Sequence, residues 1–242
     1  MCFDDDSSPP IPPLSGAAVS HADLTLEAAD GNTFAAFLAE AEERGAGVVI
    51  LPDVRGLYRF YEELALRFAE RGITALAFDY FGRTAGVEKR ENDWDYMPLV
   101  QQLTNDQVQA DVGACVQDLR GLGCTSIVTV GFCYGGSSSW AAAASGHGLA
   151  GAVGFYGRPS RMIELVPSLE APILALQGGA DQAISHEDNA EFEQALKDNG
   201  KEYELIEYEG APHSFFDRKQ EDFQAASDEA WAKTLDFIAK HA

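Results

Sequence analysis

Short apolar runs alternate along this chain with stretches in which apolar residues recur every three or four positions. Leu24 and Leu26 alternate with polar neighbours, Asp30-Gly31-Asn32 supplies a turn, and Thr33 to Leu38 returns, which predicts a hairpin. After Gly45-Ala46-Gly47, the run Val48-Val49-Ile50-Leu51 reads as a strand buried on both faces. Leu57, Tyr61, Leu64 and Phe68 then share one helix face, and Gly72 ends that helix. Ile73–Phe78 is the next strand, and Val108, Val112, Cys115, Val116 and Leu119 mark a second helix that stops near Gly121 and Gly123. Strands follow at 126–130, 149–155, 172–177 and 203–208. Helices follow at 137–144, 187–199 and 223–240. Strands alternating with amphipathic helices predict an α/β fold, with a mostly parallel sheet covered by helices on both faces and an antiparallel hairpin at its start.

Two stretches lack periodicity. Residues 4–16, DDDSSPPIPPLSG, are rich in Pro, Ser and Asp and read as an extended arm. The expected organisation is an arm over 1–16 and a single domain over 17–242. Phe81 to Asn105 carries Trp94, Tyr96, Met97 and many charges, and loops of that length in one domain are usually functional or mobile.

The 242 residues suffice for one large α/β domain. The net charge of −22 repels phosphate backbones and anionic lipid, so nucleic acid and membrane surfaces are not expected partners. An anionic substrate would need a local cluster of Arg or Lys. No apolar stretch is long enough to span a bilayer, and the opening Met1-Cys2-Phe3-Asp4-Asp5-Asp6 has acids where a secretion signal carries Lys or Arg. Cys2, Cys115, Cys124 and Cys133 show neither a CxxC pair nor zinc spacing. A cytoplasmic protein with free thiols, no metal and no cofactor is expected, as a monomer or small homo-oligomer.

The sharpest chemical signal is Gly131-Phe132-Cys133-Tyr134-Gly135-Gly136, between the strand from Ser126 and the helix at Ser137. It has the form of a nucleophile elbow with Cys in the place of Ser. The turn is tight, so flanking glycines remove side chains that would strike the neighbouring strand and helix. The helix N-terminus favours negative charge and hence a reactive thiolate. In such folds an acid and then a histidine follow the nucleophile in chain order. Asp181 lies just past the strand ending at Gln177, and His213 just past the strand ending at Tyr208. Both fall on the sheet edge that carries Cys133, where His213 would pair with the thiol and Asp181 would fix its tautomer. His21, His147, His186 and His241 read as structural or solvated, and Asp181 has the alternative reading of a helix cap.

These residues resemble the dienelactone hydrolase (carboxymethylenebutenolidase) family, α/β-hydrolases with a Cys-Asp-His triad. The resemblance rests on residues 48–56, VVILPDVRG; 78–83, FDYFGR; 131–136, GFCYGG; 177–181, QGGAD; and 211–215, APHSF. It implies an α/β-hydrolase fold and an oxyanion hole made by the backbone N–H groups of Val54 and Tyr134. It implies that Asp53 acts on the resting thiol, although well-known members carry Glu there. It assigns Arg83 to the carboxylate of a lactone. A second family Arg, four residues after the histidine, is replaced by Asp217. The leading reading is a cysteine-dependent hydrolase that opens a lactone or cleaves a small ester. A general carboxylesterase or thioesterase on the same three residues is an alternative. From other classes, a redox-reactive thiol protein lacks a nearby resolving Cys, and a non-catalytic binding module leaves the three residues unexplained.

Overall fold

In the computed structural model, which describes residues 3–15, 19–90 and 94–242, the run Val48–Leu51 lies in the middle of the sheet. The chain order is β1 (Ser20–Glu27), β2 (Thr33–Glu40), β3 (Ala46–Leu51), α1 (Arg59–Ala69), β4 (Thr74–Phe78), α2 (Gly82–Ala85), α3 (Met97–Val100), α4 (Asn105–Gly121), β5 (Ser126–Phe132), α5 (Tyr134–Ala142), β6 (Gly151–Phe155), β7 (Ile173–Gly178), α6 (His186–Asp198), β8 (Tyr203–Tyr208) and α7 (Gln224–His241). The eight strands order as β1-β2-β4-β3-β5-β6-β7-β8. β1, β2 and β4 pair antiparallel, and every other neighbour pairs parallel.

Successive side chains of a strand point to opposite faces, so a strand buried on both sides must be apolar at every position. Val48 and Ile50 pack in one cluster with Phe60, Leu64 and Phe68 of α1 and with Trp231 and Ile238 of α7. Val49 and Leu51 pack on the other face with Val108, Val112, Val116 and Leu119 of α4. Trp140 of α5, fully buried, leads a third cluster with Phe192 and Leu196 of α6. The strand order reverses at β3, because the chain moves outward to β4 and then returns to β5 on β3's other side. Such a switch point opens a crevice at the carboxyl ends of the strands.

Three differences from the sequence reading have physical causes. α5 begins at Tyr134 rather than Ser137, so Cys133 sits directly at the helix N-terminus. β1 extends back to Ser20, over exposed positions of an edge strand where no burial imposes a pattern. Phe81 to Asn105 is not featureless: it holds α2 and α3, and Trp94 packs edge-on against Phe81 at 4.9 Å. The arm is extended but docked, with Phe3 and Ile11 buried. Its expected boundary with the domain falls on residues 16–18, outside the described residues. Among the described residues, no helix is long and apolar enough to cross a membrane.

Candidate active site

β5 ends at Phe132 and α5 starts at Tyr134, so the backbone must reverse within Cys133 alone. It does so at φ 55°, a left-handed conformation that strains a non-glycine residue. The Cys133 N–H is held by the Phe155 carbonyl at 3.0 Å, and Gly136 N–H donates back to the Cys133 carbonyl at 3.0 Å. A Cβ at Gly131 would collide with the Gly135 carbonyl, and one at Gly135 with the carbonyls of Leu51 and Pro52. Both glycines are therefore dictated by the close approach of helix, strand and the loop after β3.

Asp181 and His213 reach this point from the ends of β7 and β8. His213 Nδ1 lies 2.6 Å from Asp181 Oδ2, and the Asp181 side chain is 1% exposed. Asp181 Oδ1 accepts the Ala183 N–H at 2.8 Å. The helix-cap reading of Asp181 is not what forms, because Ser185 and Asp188 make a reciprocal capping box for α6. The imidazole also hydrogen bonds the Cys133 thiol and packs at a tilt against Tyr156, ring centroids 4.9 Å apart. Burial opposes charge on His213, but the bond to Asp181 and the bond and charge of Cys133 outweigh it, and its pKa is pushed up to about 9.

Cys133 and His213 open into a cavity of about 480 Å³ lined also by Val54, Tyr134, Tyr156, Arg158 and Arg161. The Val54 loop is held from beneath: Asp79 accepts the N–H groups of Leu57 at 3.1 Å and Phe81 at 3.3 Å, and pairs with Arg90 at 3.0 Å. Burial raises the Asp79 pKa, and these donors pull against it.

Two expected site residues lie elsewhere. Asp53 is fully buried, with Oδ1 accepting the Arg55 N–H at 2.9 Å and Nε at 3.3 Å, and Oδ2 meeting Arg55 Nη2 at 2.9 Å. Its carboxylate is committed to Arg55 and is not part of the cavity wall. Arg83 is likewise absent from that wall. It forms a fork on Asp111 of α4 at 2.7 and 3.0 Å and reaches Asp30 at 2.6 Å.

The cations that do face the cavity are Arg158 and Arg161, which sequence reasoning passed over. They follow β6, and the signal was present: two arginines within four residues, just past the carboxyl end of a central strand. The Arg158 backbone is pinned by Ser137, whose Oγ accepts its N–H at 2.7 Å. The Arg161 guanidinium lies over the Tyr134 ring, 4.4 Å from its centroid. Neither forms an ion pair among the described residues.

The remaining histidines stay outside the cavity. His21 stacks on Phe37, His147 faces Gln109, His186 meets Glu207, and His241 packs at a tilt against Phe237. Cys115 and Cys124 are buried free thiols, and burial raises the pKa of both. Cys2 lies outside the described residues.

Known proteins are similar to this chain in sequence and in fold. A carboxymethylenebutenolidase of Rhodococcus opacus is 27% identical, covering 100% of this chain and 97% of its own length. The crystal structure of a dienelactone hydrolase-like promiscuous phosphotriesterase from metagenomic libraries superposes with a TM-score of 0.79 at 19% identity, over 93% of this chain and 99% of that one. A cold-adapted esterase from an Arctic intertidal metagenomic library superposes at 0.71 with 20% identity, over 100% and 99% of the two chains. The sequence model of the dienelactone hydrolase family matches residues 34–242, a span that contains Cys133, Asp181 and His213 past the carboxyl ends of β5, β7 and β8. This chain belongs to the dienelactone hydrolase family and is a hydrolase.

Proposed function

We propose that the chain is a cysteine-dependent hydrolase of lactones or small carboxylic esters, acting through Cys133, His213 and Asp181. The observation that carries this reading is the bonded series thiol, imidazole, carboxylate at the N-terminus of α5, with the Asp181–His213 distance at 2.6 Å. The bonds to Asp181 and Cys133 push the His213 pKa up to about 9, which supports an imidazolium resting beside a Cys133 thiolate. The thiolate attacks the carbonyl carbon, and its electron pair forms the C–S bond. The displaced π electrons become an oxyanion, which on this reading the backbone N–H groups of Val54, at the cavity wall, and Tyr134, at the helix start, receive. As the oxyanion collapses, the C–O bond to the leaving group breaks and His213 gives its proton to the departing oxygen. Neutral His213 then takes a proton from water, whose hydroxide adds to the thioester. Collapse releases the acid and restores the thiolate and the imidazolium.

The substrate's charge is read by Arg158 and Arg161 rather than Arg83. A guanidinium without a carboxylate partner among the described residues, facing the cavity of a chain with net charge −22, favours an anionic substrate group. The test is a hydrolysis panel of anionic lactones, neutral lactones and neutral aryl esters, run on wild type, Cys133→Ala and the double variant Arg158→Ala/Arg161→Ala. Cys133→Ala should lose several orders of magnitude on every substrate. The arginine variant should lose about 10- to 150-fold in kcat/KM on anionic lactones alone, as a charge-assisted hydrogen bond contributes. Activity of Cys133→Ala within about tenfold of wild type would remove the nucleophile assignment.

A further inference from the structure

The N-terminal arm lies outside the span matched by the family model, which starts at residue 34. Pro9-Pro10 and Pro12-Pro13 favour an extended backbone without internal hydrogen bonds, so the arm must be held by what it touches. What it touches is the back of the active site. The Phe3 ring is 3% exposed, stacks on Phe60 at 4.1 Å, and meets Phe132 and Tyr156 edge-on at 6.4 Å. Phe132 directly precedes Cys133, and Tyr156 is the ring on which His213 rests.

Four residues further on, the arm grips the loop that carries His213. Ser7, fully buried, donates its hydroxyl to Asp217 Oδ2 at 2.8 Å, and the Arg218 N–H donates to the Ser8 carbonyl at 3.1 Å. Asp6 pairs with Lys219. Asp217 in turn accepts the Lys219 N–H on Oδ1 at 2.9 Å and shapes the turn to Gln220, whose side chain donates to the Ser214 carbonyl at 2.7 Å. Ser214 adjoins His213 and sits at φ 63°, a strained conformation that needs outside support. On its other side the arm reaches the loop of Val54, through Asp5 to Arg55 at 3.4 Å and from there to Asp53.

We propose that the N-terminal arm is a positioning strap: Ser7, held by the docked Phe3, fixes through Asp217 the loop that sets His213 against Cys133. Ser7 and Phe3 touch no reacting atom, and they act through the loop. The proposal rests on the reading of Cys133 and His213 as a working pair, and its test is chosen to be read without any substrate.

The experiment uses the full chain as wild type, Ser7→Ala, Ser7→Thr and Phe3→Ala. The pH dependence of Cys133 alkylation by iodoacetamide, followed by mass mapping of that residue, reports how well the imidazole faces the thiol. The ionisable groups around that pair are Asp181, Tyr156, Tyr134, the buried Tyr80, Asp53 with its partner Arg55, Arg158 and Arg161. Ser7→Ala changes no charge, so a shifted midpoint reads the placement of His213. Expected for Ser7→Ala and Phe3→Ala is a midpoint raised by about half a pH unit or more, as imidazole coupling to the thiolate weakens. Turnover of a neutral aryl ester should show kcat down by about 3- to 30-fold with KM within about twofold, the scale of a lost positioning hydrogen bond. Ser7→Thr, which keeps the hydroxyl, should restore both. A lower melting temperature with unchanged midpoint and unchanged kcat would make the arm a mere stabilising segment and overturn the proposal, as would variants indistinguishable from wild type. A failure of the ester panel alone would strike the proposed function and leave the alkylation result standing on its own.

Discussion

Arg83→Ala separates the role implied by family resemblance from the one the structure gives. The Arg83 side chain is 16% exposed and its partner Asp111 is 1% exposed. Asp111 accepts two bonds from Arg83 and one from Asn32 Nδ2 at 2.9 Å. Burial pushes the Asp111 pKa up, and the bonds to Arg83 and Asn32 hold it back. Truncating Arg83 leaves that carboxylate buried with an amide as its remaining donor. Breaking one side of a buried pair costs about 3–5 kcal/mol, and the partial exposure of Arg83 points to the lower end. At about 3 kcal/mol, a domain of this size should lose roughly 6–12 °C in melting temperature. The loss should shrink as the medium is acidified and Asp111 takes up a proton, and Arg83→Ala/Asp111→Asn should recover part of it. Circular dichroism melts at several pH values measure the first effect, and kcat/KM on anionic and neutral substrates, taken well below the melting point, measures the second. An unchanged melting temperature with a selective loss on the anionic lactone would refute this reasoning and return Arg83 to substrate binding.

Asp53→Asn should behave as a stability variant, because it deprives Arg55, whose side chain is 6% exposed, of its fork partner. A loss of about 2–4 kcal/mol in urea titrations is expected with the shape of the pH–rate profile retained, and a changed profile at intact stability would restore the thiol-activating role. His213 carries a folded-state pKa of about 9 against 6.5 when free, so its contribution to stability is fully present below about pH 6.5 and is lost as pH rises through about 9. Urea midpoints measured from pH 6 to 10 should fall across that window in wild type and fall less in His213→Gln, and parallel curves would count against the coupling.

What could be read from the chain was what is locally dictated. Gly131 and Gly135 are required by the collision of any side chain with nearby carbonyls, so the elbow announced itself in six residues. Asp181 and His213 were legible because parallel strands deliver whatever follows them to one edge. The start of α5 was misread for the same reason that the elbow was found: Gly135 and Gly136 look like helix breakers, yet packing demands them inside the first turn. Ion pairs were opaque. Arg83 finds Asp111 on α4 and Asp30 in a turn, and no local pattern singles out those two acids. The docking of the arm was hidden too, since composition predicts an extended backbone but not a slot among Phe60, Phe132 and Tyr156 for Phe3.

The two positions at which the resemblance implies anion binding have both been withdrawn from the cavity. Arg83 is spent on Asp111, and the second position is Asp217, buried and bonded to Ser7. A family carboxylate site placed there would meet an acid instead of a guanidinium. The arginines that lack an ion pair among the described residues stand on the other flank of Cys133, after β6, with Arg161 over the Tyr134 ring and Arg158 tied to the first turn of α5. On the proposed mechanism the attack geometry is set by Cys133 and the Val54 and Tyr134 N–H groups, so it stays where it is. The anionic end of the substrate must then turn toward β6. On that proposal, elbow chemistry kept in place with charge recognition on the β6 side would select acids of a different shape, and a panel that varies the distance and direction from carboxylate to scissile carbonyl would register the difference.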